Sequence, residues 1–78
     1  MAWVTLVRKE NATGKRQPTN VEAVVKVFDT PDSKSVFQID TYGSEDRQNP
    51  GKQSQTLQFG KEAAKQLFVM LKQTFKFE

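Results

Sequence analysis

Apolar positions recur along this chain with two different periods, and the change of period marks its architecture. Between Val21 and Phe28 the period is two. Val21, Ala23, Val25 and Val27 fall on one side of an extended segment, and Glu22, Val24, Lys26 and Phe28 on the other. Ser35 to Tyr42 repeats the pattern, with Phe37, Ile39 and Thr41 alternating against Val36, Gln38, Asp40 and Tyr42. Trp3 to Val7 is rich in β-branched and aromatic residues and predicts a first strand. Gln55 to Phe59 predicts a short last one, with Leu57 and Phe59 on one side. The intervening segments are polar. Lys9 to Asn20 contains Gly14 and Pro18, Asp29 to Ser33 is dense in turn formers, and Gly43 to Ser54 carries Arg47 and Pro50-Gly51-Lys52.

After Gly60 the period becomes helical. Ala64, Leu67, Phe68, Leu71 and Phe75 make one apolar stripe. Gly60 suits an N-cap, Glu62 lies where the helix dipole favours an acid, and Lys72 and Lys76 lie where it favours a base. The order predicts a single α+β domain over residues 1–78: a four-stranded antiparallel sheet followed by one C-terminal helix packed on one face. Val69, Met70 and Phe77 fall partly outside the stripe, so this helix carries more apolar surface than one sheet face needs. A homodimer through the helix is expected, with Phe68, Val69, Leu71, Phe75 and Phe77 at its interface.

Composition narrows what such a domain can do. Seventy-eight residues give a thin core, and the chain has neither cysteine nor histidine. Disulfides, thiolate metal sites, imidazole ligands and the commonest general base are therefore absent. Oligomerisation is the main further source of stability for so small a core. No paired carboxylates or activated nucleophile stand at a catalytic spacing, so no enzyme, metal or cofactor is expected. No apolar run approaches the ~20 residues that span a bilayer, and Met1-Ala2-Trp3-Val4 has no basic n-region, so no membrane partner is expected and a cytoplasmic location is, with nucleoid association compatible. Asn11-Ala12-Thr13 matches a glycosylation sequon, which has no bearing in that compartment.

Twelve Lys and Arg against nine acids give a formal charge of +3. This mild excess permits a polyanion without demanding one. If the valines of the second strand and Phe37 with Ile39 face the helix, Lys26, Phe28, Gln38, Asp40 and Tyr42 lie on the uncovered face, which an antiparallel sheet tolerates. Trp3 and Lys9 join them in one of the two orientations open to the first strand. Aromatics interleaved with lysines suit single-stranded nucleic acid, whose bases stack on rings while lysines follow phosphates. Each ring also has a structural reading, Trp3 as core or interface and Phe28 as a hairpin-entrance side chain. Asp40 on the same face repels phosphate. Lys15, Arg16, Arg47 and Lys52 lie on loops, where charges are commonly just solvated, and Glu45-Asp46 adjoins Arg47. Pro50-Gly51-Lys52 lacks the spacing of a P-loop.

The order of Ile39-Asp40, Tyr42, Pro50-Gly51-Lys52, Leu57-Gln58-Phe59 and Glu62-Ala63-Ala64-Lys65-Gln66-Leu67 resembles the DNA-binding domain of the transcriptional coactivator family of positive cofactor four. The resemblance covers about half of the chain. The plant Whirly proteins share that fold, though their K-G-K-A-A-L hallmark is absent here, and the compact length is most similar to small uncharacterised cyanobacterial members. The resemblance implies a homodimer built around the helices whose curved sheets bind single-stranded DNA. It implies nucleic-acid contacts near Phe28, Lys26 and Lys34 at the second hairpin, at Tyr42, and at Arg47 and Lys52 in the loop. The family hairpin is richer in lysine; here Asp29 and Asp32 flank it. With Lys9, Lys15 and Arg16 these make up the candidate site. The expected function is sequence-tolerant binding of single-stranded DNA or RNA, as an accessory factor in transcription or replication. The alternative is a protein–protein interaction module on the same fold.

Overall fold

The computed structural model describes residues 1–43 and 53–77. Arg47, Lys52 and the Pro50-Gly51 pair lie outside the described residues. The chain forms β1 (Ala2–Val4), β2 (Val21–Asp29), β3 (Ser35–Gly43), β4 (Gln53–Phe59) and α1 (Lys61–Phe75). The class is α+β, with one four-stranded sheet in the order β1-β4-β3-β2 and one C-terminal helix.

β2 and β3 are an antiparallel hairpin in full register from Val21↔Gly43 to Asp29↔Ser35. Its turn is closed by Thr30 N–H donating to Lys34 C=O and Ser33 N–H donating to Thr30 C=O, both at 2.9 Å. Ser33 takes the left-handed conformation, φ 65°. The Thr30 hydroxyl bonds Asp32 and holds its carboxyl below the usual range. β3 and β4 are also antiparallel, from Phe37↔Phe59 to Tyr42↔Gln53, with a register shift at Thr41/Tyr42.

β1 departs from the expected antiparallel sheet. It lies at the far edge from β2, parallel to β4, with Ala2, Trp3 and Val4 opposite Leu57, Gln58 and Phe59. The sheet is therefore mixed. Crossing a four-stranded sheet covers roughly 14 Å, well within the reach of residues 5–20. The direction follows from what comes next. β4 runs on into α1, and the chain leaving β1 follows the same course, where Val7 N–H donates to Gln66 Oε1 on the helix at 2.9 Å. The predicted strand over Trp3–Val7 is shortened for the same reason. The β1–β4 pairing ends at Val4↔Phe59, where β4 gives way to the helix, so Thr5 to Val7 have no strand partner.

Gly60 is the N-cap, in extended conformation (φ −88°) and without a side-chain cap bond. Its role is close approach rather than conformational freedom: a Cβ here would stand 3.1 Å from Cη2 and Cζ2 of the Trp3 ring. The helix ends at Lys76 in the left-handed conformation, with Glu62 in its first turn and Lys72 in its last, as the dipole favours. α1 packs on β3 and β4. The apolar core is confined to that junction, where Val36, Phe59 and Ala63 are buried.

Register assigns every strand residue to a face. One face carries the rows Val27–Phe37–Phe59–Val4 and Val25–Ile39–Leu57–Ala2. The other carries Phe28–Val36, Lys26–Gln38–Gln58–Trp3, Val24–Asp40–Thr56 and Glu22–Tyr42. The apolar face is largely uncovered: Val21, Val25, Val27, Phe37 and Leu57 are all exposed, Val27 to 68%. The Cα radius of gyration is 14.7 Å, against about 11–12 Å for a compact chain of this length.

Candidate functional site

The polar face has an apolar end and a hydrogen-bonded centre. At the hairpin end Phe28 pairs with Val36, and the Trp3 ring lies against Gly60. Val36 is buried, while Phe28 and Trp3 keep 41% and 53% of their surface exposed. A cleft of about 920 Å3 opens at this end of the sheet, with Trp3, Val27, Val36, Phe37, Phe59 and Ala63 in its walls.

The centre is organised by Asp40, which has no exposed surface. Lys26 Nζ lies 2.7 Å from Asp40 Oδ2. Thr56 Oγ1 donates to Asp40 Oδ1 at 2.8 Å. Gln38 Nε2 donates to both carboxylate oxygens, at 3.0 and 3.2 Å, and Gln58 Nε2 donates to Gln38 Oε1 at 2.8 Å. The result is a continuous rail across β4, β3 and β2. A buried carboxylate is costly unless charge and hydrogen bonds compensate it, and here both do. The Lys26 hydrogen bond holds the Asp40 carboxyl below its ordinary value, helped by Thr56 and Gln38 and opposed by burial. The Asp40 hydrogen bond raises Lys26 above its ordinary value, aided by Asp40's charge and by Tyr42, with desolvation opposing.

The structure brings Lys26, Phe28 and Tyr42 onto one face, and Trp3 joins them through β1. Lys9 does not. It lies beside the helix, in a groove with Lys61, Lys65 and Gln66. Lys15 and Arg16 are exposed in the segment between β1 and β2, where Arg16 Nη2 donates to Asn20 Oδ1 at 3.2 Å. Lys34 is exposed in the hairpin turn and reaches the cleft beside Trp3. Phe68, Val69, Leu71, Phe75 and Phe77 are all exposed, Phe75 to 63%; the Phe75 and Phe77 rings stack at 5.7 Å between centroids.

Sequence reading missed the scaffold of Gln38, Thr56 and Gln58. Lys26 and Asp40 were already assigned to one face, so their pairing was within reach. The partners from β4 depended on a register that the long β3–β4 connection hides. No helix is long and apolar enough to cross a membrane. No family model, curated protein or solved structure matches the chain.

Proposed function

We propose that this protein is a homodimeric, sequence-tolerant binder of single-stranded nucleic acid, DNA or RNA, serving as an accessory factor in transcription or replication. The observation that carries the reading is the polar face, where the exposed Trp3 and Phe28 rings share a surface with Lys26 and Tyr42 on a sheet whose β3 and β4 strands pack against α1. Base–aromatic stacking contributes about 1–3 kcal/mol per base and tolerates any sequence. Phosphate contacts fall to the exposed cations around the face, Lys34, Lys15 and Arg16. The dimer follows from the opposite surfaces. The valines of β2 and the outward residues of α1 are a large apolar area for a chain this small, and a second copy covers both at once. Burying the four exposed apolar side chains of α1 together with Phe77 just beyond it would stabilise the pair by on the order of 5–10 kcal/mol at typical values per side chain, comparable to the whole stability of a small domain.

Titrating labelled oligo-dT at low and moderate salt tests the binding. Micromolar affinity that weakens steeply with salt is expected. Absence of binding below ~100 µM at low salt would refute it, since that is the weak end of ordinary non-specific binding even at physiological salt.

A second reading, a protein-interaction module, is favoured by one observation: exposed apolar side chains outnumber exposed cations on the strands. Recovery of a single protein partner after nuclease treatment, with no oligonucleotide binding, would establish it in place of the first.

A further inference from the structure

Among the described residues Lys26 is the only lysine at a strand position, and its ammonium already has an anionic partner. Asp40 Oδ2 holds it at 2.7 Å, and Asp40 is itself fixed by Thr56 and Gln38. Lys26 keeps 49% of its side chain exposed, so a phosphate can approach it, but one that drew the ammonium away would leave a carboxylate with no exposed surface without its cation, and breaking such a pair from one side is strongly unfavourable. Gln38 is equally engaged, with Oε1 accepting from Gln58 and Nε2 donating to Asp40. What the face leaves available are rings, both substantially exposed: Phe28 two rows and one strand from the buried carboxylate, and Trp3 one row and two strands from it.

We propose that Asp40 is the specificity-determining residue of this face: a resident anion that withholds Lys26 from phosphate, so that a single strand meets the sheet with its bases on Trp3 and Phe28 and its phosphates turned to the rim. This rests on the nucleic-acid reading above. The ligand class it selects is unstacked bases in a single strand. A duplex, which offers phosphates and covered bases, is excluded by the same device. Asp40 acts through Lys26 and is a positioning residue.

The test is a set of oligo-dT titrations from about 50 to 300 mM salt on the wild type, Lys26→Met, Asp40→Asn, the double variant and Phe28→Ala, with an oligonucleotide duplex as the second ligand. Each phosphate contact to a single strand contributes about 0.7 to the slope of log K against log salt. Lys26→Met is expected to leave the wild-type slope unchanged. Asp40→Asn is expected to raise it by about 0.7 and to tighten binding roughly fivefold to tenfold near 50 mM salt, as one added contact predicts. The double variant should lose that gain. Phe28→Ala should weaken binding by about fivefold or more at an unchanged slope, the mark of a lost stack. Duplex affinity should rise in Asp40→Asn alone. A wild-type slope that falls by about 0.7 on Lys26→Met, or an Asp40→Asn protein with unaltered slope and affinity, overturns the proposal while leaving single-strand binding standing. Binding by Asp40→Asn through Lys26, with none by the wild type, upholds the role of Asp40 and removes the proposed function. No binding by any form removes both. The Lys26 Nζ resonance of the wild type gives a reading that needs no variant to fold: it should not move on saturation with oligo-dT, and a shift counts against the proposal.

Discussion

The two faces of the sheet are built from the same three long strands and satisfy themselves in opposite ways. On the polar face, groups that could have been left to water are joined to one another: Lys26 to Asp40, Asp40 to Thr56 and Gln38, Gln38 to Gln58. On the apolar face, groups that water disfavours are left to it. Val21, Val25, Val27, Phe37 and Leu57 are exposed, and the helix adds Phe68, Leu71 and Phe75. The polar groups of the first face are joined within one chain, while the apolar groups of the second are left exposed. In the proposed reading the first is a pre-organised platform that meets a ligand with little ordering cost, and the second gains stability from association.

The largest expected effect breaks the apolar side. Replacing Phe68 and Leu71 together by Asp places charge where the proposed partner helix packs. The expected outcome is a monomer in sedimentation and a loss of several kcal/mol in urea unfolding, the scale of two buried large side chains plus the burial of charge. A wild type that sediments as a monomer at high concentration, with the same stability as the variant, would remove the dimer and leave the polar face untouched.

The next perturbation acts on the polar side and has a pH signature. Asp40's folded pKa lies below its ordinary 3.8, so its contribution is present above that value and is lost as pH falls through the folded pKa. Lys26's lies above its ordinary 10.5, so its contribution is full below 10.5 and is lost as pH rises through the raised value. Lys26→Met should therefore lower the melting temperature by a constant amount across neutral pH, with the difference closing at both extremes. On the acid side the difference should begin to close above Asp40's wild-type pKa, because burial without its cation raises that carboxyl in the variant; a difference that varies between pH 7 and 9 would mean another group titrates against this pair.

Legibility from sequence follows the same division. The β2–β3 hairpin and α1 were readable because each is specified locally: alternation through Val21–Phe28, turn formers at Asp29–Ser33, and a helical stripe opening at Gly60. Lys26, Phe28 and Tyr42 could be placed on one face because side-chain alternation alone decides it. β1 was readable as a strand but not in its place in the sheet. Its partner and direction depend on Trp3 settling on Gly60 and on Val7 bonding Gln66, contacts more than fifty residues apart. Lys9 was misplaced with it, because the orientation of β1 was carried past the point where the chain leaves the sheet. The Asp40 network was half legible, with the cation visible from period two and the β4 donors hidden behind an unknown register.

Gly60 tests that non-local contact at a moderate scale. Gly60→Ala puts a methyl 3.1 Å from the Trp3 ring, tighter than ordinary contact, with no backbone strain because φ is −88°. The ring must move, and the expected cost is about 1–3 kcal/mol, typical of overpacking. Trp3 is the only tryptophan, so its fluorescence should shift as it becomes more exposed, and oligo-dT affinity should fall if it stacks a base. Unchanged emission would mean that β1 is not held by this contact.

The smallest effect sharpens the comparison from the hairpin that the two faces share. Ser33 holds φ 65°, a left-handed conformation that costs a non-glycine residue roughly 1–2 kcal/mol. Its N–H closes the turn onto Thr30 C=O at 2.9 Å, so the conformation is required rather than incidental. Ser33→Gly keeps that bond and removes the Cβ clash. Against it stands the extra freedom glycine gives the unfolded chain, about 0.4–1 kcal/mol. The two oppose, and the net expectation is a gain of about 0.5 kcal/mol in denaturant midpoint analysis. Ser33→Val carries the same φ with a β-branched side chain and should lose about 1 kcal/mol or more. Both faces depend on the register this turn sets, because a one-residue slip would exchange them. The glycine variant should therefore raise stability without altering either the salt slope of binding or the sedimentation of the dimer, and a change in either would show that the turn fixes more than register.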